Sequence, residues 1–92
     1  MDDAVVGTAV RLDGEQGVEG RVTRVDSDAV HVEDARLGTV VLRPRHASLH
    51  RDDGTPESAW TICNVVVAGS ILTIASDLAI QPDGSLHGTT GI

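Results

Sequence analysis

The chain has no phenylalanine, no tyrosine and no lysine, and only one tryptophan and one cysteine among its 92 residues. Each shortage excludes something. Without large aromatic side chains a small core loses its usual space-filler, so burial must come from many aliphatic residues. A single cysteine cannot form an internal disulfide, so no covalent staple supports a domain short enough to benefit from one. That usage fits a reducing compartment. A lone aromatic, Trp60, cannot build the cage that recognises a methylated amine. The basic residues are all arginine, seven against fourteen acids, for a net charge of −7 and a pI near 4.7. Such a surface repels phosphate, which disfavours DNA or RNA as a partner.

What is present is valine, isoleucine, leucine and alanine, in short runs broken by Gly, Asp and Ser. β-branched residues pack well on a pleated surface and poorly in helices, so the composition predicts an all-β fold. Strands are expected at Val5–Leu12, Val18–Val25, Ala29–Glu33 and Gly38–Arg43. In the first, Val6, Thr8, Val10 and Leu12 mark one face; in the second, Val18, Gly20 and Val22 do. Asp26-Ser27-Asp28 is a tight hairpin turn. Pro44 ends the fourth strand because it cannot donate to a ladder. Residues 51–57 are polar, charged and rich in breakers, and read as a linker between a scaffold at 1–50 and a more apolar segment at 58–92.

The second segment predicts a strand from Trp60 to Ala68, a turn at Gly69-Ser70 and a strand from Ile71 to Ala75. A shorter hairpin follows, with Leu78–Gln81 and Ser85–His87 around Pro82-Asp83-Gly84, and then a flexible tail over His87–Ile92. A strand with one wet face should alternate apolar and polar residues. Here Cys63, Val65 and Val67 point one way and Ile62, Val66 and Ala68 the other, and both sets are apolar. Ile71, Thr73 and Ala75 alternate with Leu72, Ile74 and Ser76 in the same manner. Both faces of the hairpin want burial, and a second chain is the simplest cover. Trp60, Ile62, Val66, Ile71 and Ile74 are the candidate interface residues, with Trp60 either a core anchor or an interface hot spot.

The stretch Ser58–Ser76 is uncharged and long enough to span a bilayer. Thr61, Asn64, Ser70 and Thr73 interrupt it, no basic flank follows the positive-inside pattern, and a turn sits at its centre. A buried hairpin accounts for all three, so no membrane role is expected. Asp2 and Asp3 stand where a signal peptide carries basic residues, so a virion or cytoplasmic location is expected rather than secretion.

No arrangement of residues names a reaction. His46 and His50 share one face if helical, but no third ligand follows at metal-site spacing and three arginines surround them. Cys63 lies in an apolar run with no base beside it and reads as a buried, inert thiol. The pairs Asp2-Asp3, Glu33-Asp34 and Asp52-Asp53 read as solvated surface, since paired acid/base work needs two environments of different polarity. No catalytic residues, cofactor, metal or small-molecule substrate are expected.

Gly17-Val18-Glu19-Gly20-Arg21-Val22, after a strand and the loop at Asp13-Gly14, resembles the core of a KOW-type motif of small SH3-like barrels. The resemblance covers residues 5–49 and implies a small barrel scaffold. It departs in charge: Glu15 and Glu19 stand where nucleic-acid-binding members are basic, so the fold carries over and the ligand does not. The alternative fold within the class is a β-sandwich. In size, acidity and lack of aromatics the whole chain resembles minor structural proteins of tailed bacteriophages, such as capsid decoration proteins and head-to-tail neck proteins. That implies a non-enzymatic subunit acting on copies of itself or on a larger structural protein. The alternative is a KOW-like adaptor of the ribosome or transcription machinery.

Overall fold

A computed structural model describes residues 5–44 and 62–91. Among these the chain forms seven strands: β1 (Ala9–Asp13), β2 (Val18–Asp26), β3 (Ala29–Asp34), β4 (Gly38–Pro44), β5 (Ile62–Val67), β6 (Ser70–Ile80) and β7 (Leu86–Thr90). They close into one barrel in sequence order. Every sequential pair is antiparallel, and the closing pair, β1 with β7, is parallel. The all-β expectation therefore stands, in its barrel form. Closure leaves no open sheet edge to be covered by other means.

The interior is an aliphatic column. Val10, Leu12, Val18, Val22, Val30, Val32, Val40, Leu42, Cys63, Val65, Ala75, Leu78 and Leu86 are buried together. Small β-branched residues suffice because two inward positions are glycines at places of close approach. A Cβ at Gly20 would collide with the carbonyl of Glu33 on the neighbouring strand. A Cβ at Gly88 would lie 2.7 Å from a methyl of Leu78 and 3.0 Å from one of Leu12. Those two leucines pack over Gly88, where any side chain would displace them.

Several local expectations change. Val5–Thr8 does not continue β1: Val6 and Gly7 form a turn, with the Thr8 amide donating to the Val5 carbonyl. Val6 is 66% exposed, so it does not share the inward face of Thr8, Val10 and Leu12. Residues 71–80 are one strand, not two, kinked where Asp77 adopts a φ of 54° and shifts the register against β7. This kink inserts one extra residue in β6 and turns Leu78 into the core. Residues 87–90, expected in the tail, belong to β7, because Leu86, Gly88 and Thr90 alternate inward and fill the seam. The strands of residues 5–44 do not close on themselves; β5, β6 and β7 stand between β4 and β1. The expected linker at 51–57 and Arg45–His50 lie outside the described residues.

Candidate functional site

The two sides of the barrel wall differ in chemistry. On β7, β1, β2 and β3 the outward side chains include most of the ionisable ones, and the pairing sets Arg11 beside Glu19 and His87, and Arg21 beside Glu33. On β5 and β6, residues 62–76 contain no ionisable side chain other than the buried Cys63 thiol. There the outward positions form rows across strands: Val41, Val66 and Ile71, then Arg43, Asn64 and Ile74, then Ile62 beside Ser76. Val41, Ile62, Val66 and Ile74 are half-buried, whereas Ile71 is 63% exposed.

One irregularity enlarges this apolar face. Between Val65 and Val66 the ladder advances one residue on β5 and two on β6, so Leu72 is an extra residue in a β-bulge. In a regular strand one of Ile71 and Leu72 would point into the core. The bulge leaves both in solvent, Leu72 at 37% exposure, and a bulge of this kind commonly re-aims a side chain. The adjoining turn is also unusual: Ala68 adopts a φ of 53° in an exposed position where Gly or Asn is favoured. The hairpin tip thus combines a strained residue, a bulge and two exposed aliphatic side chains without a charge nearby in sequence.

Of the sequence-predicted interface residues, the structure brings Ile62, Val66, Ile71 and Ile74 together on this outer face. Trp60 lies outside the described residues, as do His46 and His50. Leu72 is not among the residues that the sequence pattern points to, because strict alternation sets it with Ile74 and gives no sign of the extra residue.

The charged side carries two shallow grooves of about 500 and 450 Å³ that share Arg11 and Glu19. Arg36 borders one, with its guanidinium donating to the Gly17 carbonyl at 2.8 Å. Arg21, Asp83, Ser85 and His87 border the other. The Ser85 hydroxyl donates to an Asp83 carboxylate oxygen at 2.6 Å and lies 3.2 Å from His87 Nε2. Hydrogen bonds from the Ser85 hydroxyl and amide hold the Asp83 carboxyl below its ordinary value. This is not the order of a catalytic triad, which needs the imidazole between serine and carboxylate to take the hydroxyl proton. Here that proton is committed to the carboxylate.

Asp34, expected to be a solvated surface acid, is buried, with 5% of its surface exposed. Its Oδ2 accepts the Glu19 amide at 2.8 Å, and its Oδ1 accepts the Arg36 and Leu37 amides at 2.6 and 2.9 Å. Burial pushes its pKa up, but these three donors and the Arg36 charge outweigh burial and leave it below 3.8. Cys63 is fully buried, and desolvation pushes its pKa up to about 12. Among the described residues no group of three His, Cys, Asp or Glu side chains is placed to hold a metal, and no helix is long and apolar enough to cross a membrane.

Comparison with protein-family models, curated proteins and solved structures finds no match to the chain.

Proposed function

We propose that this protein is a non-enzymatic assembly subunit that works through the aliphatic outer face of residues 62–76 on β5 and β6, with Val41 of β4 beside it. The observation that carries the reading is the bulge at Leu72, which puts two adjacent aliphatic residues into solvent on a wall already lined by Val41, Val66 and Ile74. Exposed apolar side chains grouped on one face mark contact sites, whereas scattered single ones do not. The described charged side chains lie outside residues 62–76, where they keep an acidic chain apart from other acidic surfaces. Size, acidity and a closed aliphatic barrel suit a minor virion component of a tailed bacteriophage, either capsid decoration or a head-to-tail neck protein.

The test is sedimentation of extracts from cells that make the protein. The wild-type chain is expected in a high-mass fraction, and a doubly substituted chain, Ile71→Asp with Leu72→Asp, in the low-mass fraction with its circular dichroism unchanged. Equal sedimentation of the two would refute the reading. A KOW-like adaptor is the second reading, favoured by Arg11, Arg21 and Arg36 lining the grooves beside Gly17–Val22. It requires RNA binding that weakens steeply between about 50 and 200 mM salt.

A further inference from the structure

We infer that Asp83-Gly84, in the turn between β6 and β7, is a site of spontaneous backbone modification, the conversion of Asp83 to isoaspartate, and that Ser85 holds it in check. In this reaction the Gly84 amide nitrogen attacks the side-chain carboxyl carbon of Asp83. A C–N bond forms, a C–O bond breaks, and the acid hydroxyl leaves as water with the amide proton. Water then adds to the main-chain carbonyl of the resulting five-membered ring and breaks its bond to the Gly84 nitrogen. The chain afterwards runs through the Asp83 side chain, with composition and mass unchanged. Glycine permits the attack because no side chain shields its nitrogen.

The sequence places aspartate before glycine three times, at Asp13-Gly14, Asp53-Gly54 and Asp83-Gly84. Asp53-Gly54 lies outside the described residues, and the other two differ in room. A Cβ built at Gly14 would collide with Thr90, whose hydroxyl also donates to the Asp13 carbonyl at 3.3 Å. The backbone there is wedged in the barrel seam and cannot fold back onto its carboxyl. At Gly84 nothing lies within 4 Å of where a Cβ would stand, so a ring has space to close. Asp83 and Gly84 are both exposed, so water reaches the site.

Ser85 opposes the reaction in two ways. Attack requires the nitrogen and the carboxyl carbon to be aligned. The Ser85 amide and hydroxyl both donate to Asp83 Oδ1, at 2.9 and 2.6 Å, and tie the carboxyl to Ser85 instead. The same bonds favour the ionised carboxylate, which resists a nucleophile until it takes up a proton. The Gly84 amide is committed as well, donating to the Gln81 carbonyl at 2.9 Å. Conversion adds one methylene to the main chain between Gln81 and Ser85, where the Gln81 amide donates to the Ser85 carbonyl at 2.7 Å. The next residue, Leu86, is fully buried and pairs with Val10, so the lengthened turn strains the closing strand.

The experiment is storage of the folded full chain and of Ser85→Ala at physiological temperature and neutral pH, followed by a protease that cuts before aspartate but not before isoaspartate. Peptides of unchanged mass that stay uncut at residue 83 report conversion. Ser85→Ala is expected to convert about fivefold faster or more, the factor that one hydrogen bond of ordinary strength supplies. Ser85→Thr, which keeps the hydroxyl, is expected to stay near the wild-type rate. In the folded wild type residue 83 is expected to convert ahead of residue 13, and in urea the two at comparable rates. Conversion of folded Ser85→Ala at the wild-type rate, or of residue 13 ahead of residue 83 in the folded chain, would overturn the inference. Should circular dichroism show Ser85→Ala unfolded, the wild type decides alone. A lead of residue 83 that exists only in the folded chain supports the inference, and the lack of such a lead overturns it.

Discussion

Replacing Asp34 with alanine should cost the barrel about 3 kcal/mol. Its carboxylate joins two places distant in sequence, the start of β2 through the Glu19 amide and the β3–β4 turn through the Arg36 and Leu37 amides. A hydrogen bond to a charged group contributes about 1.5–3 kcal/mol. Three would exceed the expected cost, but Arg36 is exposed, and the turn amides recover water when the carboxylate is removed. Asp34→Asn separates the two halves of the site. The amide oxygen can keep the two turn donors, while the NH₂ faces the Glu19 amide, donor against donor, for a cost of about 1.5 kcal/mol. For a domain of this size each kcal/mol moves Tm by about 4–8 °C, giving shifts of about 15 °C for alanine and about 8 °C for asparagine.

The pH dependence has a definite sign. A carboxyl with a folded pKa below its unfolded value contributes stability that is fully present above the unfolded value and is lost as pH falls through the folded one. Asp34 is held below 3.8, so its contribution fades as the pH drops below about 4. The gap between wild type and Asp34→Asn should therefore narrow on acidification. Urea unfolding followed by circular dichroism at pH 7, with melts from about pH 2.5 to 7, measures both effects over the window of carboxyl titration. An alanine variant within about 0.5 kcal/mol of wild type, the range of inert surface changes, would refute the reasoning. So would an asparagine gap that widens toward acid.

Gly20→Ala should be more damaging, about 3 kcal/mol or more, because the new methyl meets backbone of β3 that cannot rotate away; recovery of soluble protein and urea midpoint test this. The Cys63 thiol should react with a disulfide reagent no faster than the barrel opens, and at once in strong denaturant; rapid labelling of the native protein would contradict its burial. Ala68→Asn should raise Tm by a few degrees, about 0.5–1 kcal/mol, by relieving the positive φ at an exposed turn; calorimetry measures it. Val65→Asp should unfold the chain and Val66→Asp should leave it folded but impaired in assembly, since these neighbours point to opposite faces; equal melting temperatures would refute that placement.

The strand class and much of the core were legible because valine and leucine alternate on β2 and β5 with the period that a strand imposes. Val18, Gly20 and Val22 share the inner face as their spacing requires, and so do Cys63 and Val65. The bulges were not legible. An extra residue at Leu72 or around Asp77 leaves no compositional mark, because register is a property of two strands and the sequence of one does not reveal it. Gly88-Thr89-Thr90-Gly91 read as a tail because glycine is a poor strand former, whereas Gly88 is required where Leu12 and Leu78 converge. Asp34 was hidden for a similar reason. An acid beside Glu33 looks like surface until the turn beyond it supplies two amides.

The parallel seam between β1 and β7 is the one pairing that depends on strands from opposite ends of the described chain. Val10 pairs with Leu86, and Asp13 with Thr89, while every other pair joins strands consecutive in the chain. Six strands can therefore pair with their chain neighbours alone, yet β1 then keeps a bare row of amides and carbonyls along one side. That row is a template for a stray strand from another molecule until β7 arrives. Closure of the seam removes that row, so the last pairing to be made is also the one that hides the barrel's edge.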